Sequence, residues 1–121
     1  MDFQFTEEHQ AFRTMAAEFA LHKLAPKADY WDEQGIFPTE VLREAAALGM
    51  AGMIAKEDIG GSQLSRLDAA LIFEQLATGC ITTSAYLSIH NMVTTLIDRY
   101  ASPKLRKHWG PKLTSMQSIA S

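Results

Sequence analysis

The four histidines, His9, His22, His90 and His108, are the side chains of this sequence best suited to proton transfer or metal binding. None of them belongs to a His-x-x-x-His or Glu-x-x-His pair, the spacings that let one helix present two ligands to a metal ion. The Gly-x-Ser-x-Gly elbow of serine hydrolases is also missing. We therefore predict no metal site and name no catalytic residue in this chain.

Glycine and cysteine signals are equally sparse. Gly60-Gly61 predicts a turn with positive φ, but it lacks the spacing and the following Lys-Ser/Thr of a phosphate-binding loop. The single cysteine, Cys80, excludes an internal disulfide and a Cys-x-x-Cys zinc site. A chain with one cysteine is typical of a reducing compartment, and we expect a cytoplasmic location.

The net charge and the N-terminal residues argue against further classes of protein. Eleven Lys and Arg residues against fourteen Asp and Glu residues leave a formal net charge of −3, which argues against a nucleic-acid partner. The acidic start, Met1 to Glu8, has neither the basic nor the apolar region of a signal peptide. No apolar stretch reaches the roughly 20 residues of a membrane span. We therefore expect no membrane partner.

Three polar residues, Ser88, His90 and Asn91, interrupt an otherwise apolar stretch with helical periodicity. For His90 we favour hydrogen bonds to neighbouring helices, because buried polar groups normally find partners. For Ser88 and Asn91 two interpretations stay open. They either make the same internal hydrogen bonds or line a ligand pocket beside this helix.

The hydrophobic period is helical along nearly the whole chain and predicts no strand. Five helical segments are expected, at about Glu7–Tyr30, Pro38–Leu48, Ser65–Gly79, Thr83–Tyr100 and from Ser102-Pro103 onward. Pro26 should kink the first segment or start a new turn, and Gly110-Pro111 should break the last. The sequence thus predicts one all-α domain over residues 1–121, a helical bundle of about five helices between orthogonal and up-down arrangements.

The fourth segment is expected to be the central and most buried helix, because it carries no charge before Asp98. Its apolar residues fall on one helical face: Ala85, Ile89, Met92, Val93, Leu96, Ile97 and Tyr100. Thr6 and the Ser65–Asp68 capping signature are expected to start the first and third helices.

The order of these signals resembles the N-terminal helical domain of the acyl-CoA dehydrogenases over essentially the whole chain. The resemblance rests on Phe5-Thr6-Glu7-Glu8, Phe37-Pro38, Ala46-Ala47-Leu48-Gly49-Met50-Ala51-Gly52, Ile59-Gly60-Gly61, Phe73-Glu74-Gln75-Leu76-Ala77, His90-Asn91-Met92, Ser102-Pro103-Lys104 and Pro111-Lys112-Leu113. Thr78-Gly79-Cys80 and Ser88-Ile89-His90-Asn91-Met92 look most like short branched-chain members of the isobutyryl-CoA type. The chain departs from the family pattern in three places. His9 stands where the family often has Gln, Ala55-Lys56-Glu57-Asp58 lacks the usual proline before the acidic pair, and Gly60-Gly61-Ser62-Gln63 lacks a further glycine.

The resemblance implies α,β-dehydrogenation of an acyl-CoA thioester, in which FAD accepts the hydride. The family's flavin-contacting Thr-Glu-Pro segment and its catalytic glutamate would lie beyond Ser121. The resemblance therefore implies no catalytic and no cofactor-binding residue here, and a 121-residue chain that by itself binds no FAD and is inactive. The matching turn of the fourth helix would form one wall of the acyl pocket and favour short or branched acyl groups, through Leu87, Ser88, Asn91 and Met92.

Two alternatives stay open at this point. The chain is either part of such an enzyme or a stand-alone, non-catalytic helical interaction module derived from this domain. A third possibility keeps the fold and changes the chemistry to that of an acyl-CoA oxidase or a flavin monooxygenase. If the domain has an exposed apolar surface and forms homo-oligomers or self-associates, the first alternative, that the chain is part of a larger enzyme, is favoured. For a processed eukaryotic protein, the expected location is the mitochondrial matrix.

Overall fold

The computed structural model describes residues 4–121, and the prediction about a signal peptide falls partly outside them, on Met1–Phe3. The described residues form α-helices without any strand, so the predicted fold class is confirmed. No helix among residues 4–121 combines the length and the apolar character needed to cross a membrane. The six α-helices are α1 (Glu7–Phe19), α2 (Ala28–Gln34), α3 (Thr39–Ala47), α4 (Arg66–Gly79), α5 (Ile81–Tyr100) and α6 (Pro103–Thr114).

The first predicted segment is divided in two. A π-helical turn over Ala20–Leu24 extends α1, and the chain then turns at residues 25–27 before α2 begins. Pro26 lies in this turn, where its missing N–H and its ring prevent a continuous helix. The prediction of a kink or a new turn at Pro26 is therefore confirmed, and α2 extends the helical region beyond Tyr30.

The predicted break near Gly110-Pro111 is wrong, because α6 runs without interruption from Pro103 to Thr114. A proline disfavours helical geometry in the preceding residue through a clash with its Cβ, and Gly110 has no Cβ. A Cβ at Gly110 would also lie 2.8 Å from Cβ of Ile59, so the glycine lets α6 approach the loop before α4.

The helices pack in a chain of neighbours, α1 on α4, α4 on α5 and α5 on α6. The core lies between α1, α3, α4 and the inner side of α5. Its fully buried members include Ala16, Leu24, Leu42, Met50, Met53, Ile72, Leu76 and Leu87. Helix α5 lies between α4 and α6 and buries seven of its residues, but the predicted apolar stripe is not its buried side, since most of that stripe is exposed to solvent.

Capping boxes begin α1 and α4, as the sequence predicts for Thr6 and Ser65. In α1 the side chain of His9 closes the box, since its Nδ1 accepts a hydrogen bond from the backbone N–H of Thr6 at 3.1 Å. Nε2 of the same ring lies 3.3 Å from Oδ1 of Asp68, the residue that closes the box of α4. The starts of the two packed helices therefore meet through His9 and Asp68.

A connector of residues 50–64 joins α3 to α4 and includes a 3-10 turn at Glu57–Ile59. Gly60 ends this turn with φ of +90°, as predicted. Gly61 is needed for a different reason, because no side chain fits at its position. A Cβ at Gly61 would lie 2.1 Å from the carbonyl oxygen of Ala55, so a side chain there would separate two backbone segments. The connector thus folds back tightly on itself.

Arg106 of α6 fastens the 3-10 turn to α5. Its guanidinium donates two hydrogen bonds to the carboxylate of Asp58, at 2.6 and 2.7 Å, and two to Oδ1 of Asp98, at 2.7 and 3.1 Å. Hydrogen bonding from Arg106 lowers the pKa of Asp58 below its ordinary value of 3.8. The two carboxylates in turn raise the pKa of Arg106 through their hydrogen bonds to the guanidinium.

We predict that Asp58→Asn lowers stability at neutral pH and that its effect disappears in acid. A carboxyl group with a lowered pKa in the folded state stabilises that state above the unfolded value near 3.8, and this contribution is lost as pH falls through the folded pKa. Urea denaturation of both proteins between pH 3 and pH 7 measures the difference. Glu57→Gln, in the same turn, is the control with little effect. An equal difference between the two proteins at pH 3 and pH 7 would contradict this explanation.

Candidate functional site

Helix α5 has a polar face that is buried and an apolar face that is exposed. The buried residues, which we call the inward face, are Thr83, Ser84, Leu87, His90, Asn91, Thr94 and Asp98. The outward face is our name for seven of the exposed residues, Ile81, Ala85, Ser88, Ile89, Met92, Leu96 and Tyr100; Thr82 and Arg99, near the two ends of α5, are exposed as well. At 100° per residue the two sets lie on opposite sides of the helix. This is the reverse of the usual amphipathic arrangement in a surface helix.

Asn91 is the centre of the inward face. Its Oδ1 accepts a hydrogen bond from the backbone N–H of Met53 at 2.8 Å, and its Nδ2 donates to the carbonyl of Met50 at 2.9 Å. Nδ2 also donates to the carbonyl of Leu87, one turn back in the helix, at 2.8 Å. The side-chain amide thus binds backbone groups of the connector on both sides of Ala51-Gly52.

The inward face continues along the connector. Asp98 accepts a hydrogen bond from the backbone N–H of Lys56 through Oδ2, at 3.3 Å. Between Asn91 and Asp98, the hydroxyl of Thr94 lies 2.8 Å from the carbonyl of His90 and 3.4 Å from that of Ala51. The polar face of α5 therefore satisfies backbone groups of a buried segment without regular structure of its own.

His90 is fully buried and lies between α6 and the last residues of the chain. Its Nε2 is 2.8 Å from the carbonyl of Leu113, and its Nδ1 accepts a hydrogen bond from the backbone N–H of Ala120 at 3.3 Å. A neutral ring with its proton on Nε2 satisfies both contacts. The prediction that His90 makes internal hydrogen bonds is confirmed.

The outward face leaves large apolar side chains in solvent. Ile81 is 76% exposed, Met92 is 56% exposed and Tyr100 is 77% exposed. The hydroxyl of Ser88, on the same face, donates to the carbonyl of Ala85 at 2.6 Å, which leaves this side of the helix with few polar groups for water. Such a surface is typical of a site for an apolar ligand or another protein segment.

The four predicted pocket residues therefore divide between the two faces. Leu87 and Asn91 are buried inside the domain, whereas Ser88 and Met92 are exposed on the outward face. Two residues one position apart on a helix point about 100° apart, so these four side chains do not share one surface. That these residues line an acyl pocket remains a prediction.

A small cavity that the sequence analysis missed lies at the beginning of α5. It has a volume of about 240 Å³ and is lined mainly by apolar and aromatic groups, among them Trp31, Phe37, Leu42, Cys80, Thr83 and Tyr86. Phe37 and Tyr86 meet edge to face with ring centroids 4.8 Å apart, and burial raises the pKa of the Tyr86 phenol. Phe37-Pro38 ahead of α3 was the only sequence signal for this wall.

Comparison with known proteins decides the family. A sequence profile described as "Acyl-CoA dehydrogenase, N-terminal domain" matches residues 6–117. The chain belongs to the acyl-CoA dehydrogenase family. Its resemblance to the N-terminal helical domain, inferred from the sequence, is thereby confirmed.

Two relatives of this acyl-CoA dehydrogenase domain are mitochondrial isobutyryl-CoA dehydrogenases. The protein from Dictyostelium discoideum is 49% identical over 116 residues, and the one from Bos taurus is 45% identical over 116 residues. Each match includes 96% of this chain but only 28% of the relative. The chain therefore spans less than a third of the length of these relatives.

A solved structure similar to this acyl-CoA dehydrogenase domain is that of PigA with FAD and proline. It matches 98% of this chain and 32% of PigA with a TM-score of 0.92 and 30% sequence identity. PigA thus contains a domain with the same fold, and its structure was solved with FAD bound. Among the described residues of this chain, no group of three His, Cys, Asp or Glu side chains is arranged to bind a metal ion. We assign no flavin-binding role to any of the described residues.

We predict that Asn91→Ala strongly destabilises this acyl-CoA dehydrogenase domain. The change leaves the N–H of Met53 and the carbonyl of Met50 buried without their partner, at a cost of about 1–3 kcal/mol for each group. Thermal and urea denaturation measure the loss. Thr95→Ala is the matched control one turn later, because its hydroxyl bonds only the carbonyl of Asn91 within the helix. Equal stability of the two variants would contradict the role given to Asn91.

Proposed function

We propose that residues 1–121 are the N-terminal α-domain of an FAD-dependent dehydrogenase that acts on a short or branched acyl-CoA. The two isobutyryl-CoA dehydrogenases at 49% and 45% identity support this substrate class. The observation that carries the proposal is the outward face of α5, an apolar strip with large exposed side chains on a helix whose polar face is buried. An acyl chain is a ligand that such a strip fits.

In this proposal α5 supplies one wall of the acyl pocket. Ser88 and Met92, with Ala85 and Ile89 beside them, face the acyl group and exclude water from it. Leu87 and Asn91 lie on the inward face and support this wall indirectly, because Leu87 fixes the helix on the core and Asn91 fixes it on the connector. A bulky side chain such as Met92 shortens the pocket, which favours a branched four-carbon group over a long straight chain.

The reaction itself belongs to groups outside the described residues. Bound FAD would supply the acceptor for the hydride of the β-carbon in the complete enzyme, and a base outside residues 4–121 would take the α-proton. The part played by this chain is to hold the acyl group in place and to keep the site dry. By itself the 121-residue chain is expected to be inactive.

The proposal includes the setting of the enzyme. The partners are the acyl-CoA substrate and further copies of the protein, without a nucleic-acid or membrane partner. The names of the two relatives support a mitochondrial matrix location in a eukaryote, and a cytoplasmic one applies in an organism without mitochondria. The exposed outward face argues against the alternative of a stand-alone module, because an independent domain normally covers its apolar residues.

A chimera tests the function directly. Residues 1–121 replace the matching part of the Dictyostelium discoideum relative, and we expect the chimera to bind FAD and to oxidise isobutyryl-CoA. Flavin absorbance and turnover with an artificial electron acceptor are measured beside the unmodified relative. The isolated chain should show no turnover. A chimera that binds FAD and melts like the relative but leaves isobutyryl-CoA unchanged would refute the proposed substrate class, and turnover by the isolated chain would refute its inactivity.

A second prediction concerns chain length. In the chimera, Met92→Ala lengthens the proposed pocket, so the ratio of kcat/KM for hexanoyl-CoA to that for isobutyryl-CoA should rise about tenfold, the range expected for one or two methylene groups in an apolar pocket. Leu48→Ala, another exposed apolar residue at the end of α3, is the control and should leave the ratio unchanged. The outward face would lose its assigned role if both variants kept the original ratio.

A further inference from the structure

The last residues of the chain are held by two side chains of α5. The hydroxyl of Tyr86 donates a hydrogen bond to the carbonyl oxygen of Ala120 at 3.0 Å. The backbone N–H of Ala120 donates to Nδ1 of His90 at 3.3 Å. Tyr86 and His90 are one helical turn apart, so both polar groups of one peptide residue are bound by neighbouring positions on one helix. We call these two side chains the Ala120 clamp.

The backbone before Ala120 is directed onto this clamp. After α6 ends, Met116 adopts a positive φ of +56° and is fully buried. Its carbonyl oxygen accepts a hydrogen bond from Nε of Arg43 at 3.3 Å, and the N–H of Ser118 donates to the carbonyl of Lys112 at 3.0 Å. The chain therefore reverses at Met116 and returns to α5, where it meets the clamp.

Both clamp side chains are themselves fixed. The ring of Tyr86 packs against Phe37 and lies 6.3 Å from the ring of His90, measured between centroids. Nε2 of His90 is engaged by the carbonyl of Leu113. The clamp thus has little freedom to follow a displaced backbone, and it sets the position of Ala120 relative to α5.

We infer that Tyr86 and His90 are positioning residues that fix the path of the chain as it leaves this domain. The inference rests on the proposed function, in which this is the N-terminal domain of a longer enzyme and the remaining parts follow Ala120. The outward face of the same helix carries the proposed acyl wall. A rigid α5 therefore sets the distance between the acyl wall and the parts of the enzyme that hold the reacting groups.

The first arm of the test uses the 121-residue chain. Tyr86→Phe removes the hydrogen bond to the carbonyl of Ala120, so only the bond from its N–H to His90 still holds this residue. Ala120 should then leave the clamp more often, and its amide hydrogen should exchange about threefold to tenfold faster. Tyr30→Phe is the control, an exposed tyrosine of α2 that should not change this rate. Equal exchange at Ala120 in both variants would overturn the clamp itself.

The second arm uses the chimera with the Dictyostelium discoideum relative. Tyr86→Phe should lower kcat for isobutyryl-CoA about threefold to tenfold, with KM and the melting temperature close to those of Tyr30→Phe, because misplaced reacting groups slow the chemical step. Turnover equal to that of Tyr30→Phe overturns the positioning role while the proposed function stands. An inactive parent chimera overturns the proposed function instead, and the exchange arm still decides whether the clamp exists.

Discussion

The structure depends on hydrogen bonds between the inward face of α5 and the backbone of the connector. Residues 50–55 pass through the interior without forming a helix or a strand, and an unpaired backbone group there would cost several kcal/mol, on the order of 2–7 kcal/mol for a full transfer from water. The N–H groups of Ser62, Leu64 and Gln63 bind the carbonyls of Gly52, Met53 and Ala55. Asn91 supplies partners for Met50 and Met53, and Asp98 supplies one for Lys56, just after this path. Replacing Asn91 and Asp98 with the apolar residues usual in a core would leave the carbonyl of Met50 and the N–H groups of Met53 and Lys56 without these partners.

This constraint explains why α5 is reversed. The polar and apolar residues of α5 lie on opposite sides of the helix. When the polar side must face the interior to bind the connector, the apolar side faces the solvent. The outward face is unfavourable for an isolated domain, since Ile81, Met92 and Tyr100 stay in water. It becomes favourable once a substrate or further protein covers it. The same hydrogen bonds that complete the interior thus create the surface on which the proposed function depends.

Local signals in the sequence predicted the local structure well. Thr6, Ser65 and Pro26 gave the correct starts and break because caps and proline act through neighbouring backbone. The orientation of α5 was predicted wrongly, because periodicity shows which residues share a face but not which face is inside. Ser84, His90, Asn91, Thr94 and Asp98 recur at helical spacing and were the signal for the buried side. The connector that they bind has no such pattern of its own.

The division of α5 into two faces also separates stability from specificity. Asn91 and Leu87 hold the helix in place, and changes there disturb the fold. Ser88 and Met92 are adjacent in sequence to them but are exposed on the outward face, so they are free to change with the shape of a ligand. PigA, solved with FAD and proline, keeps this fold at 30% identity and a TM-score of 0.92. A helix whose inner face is fixed by backbone hydrogen bonds permits such variation, because its outer face takes no part in holding the domain together.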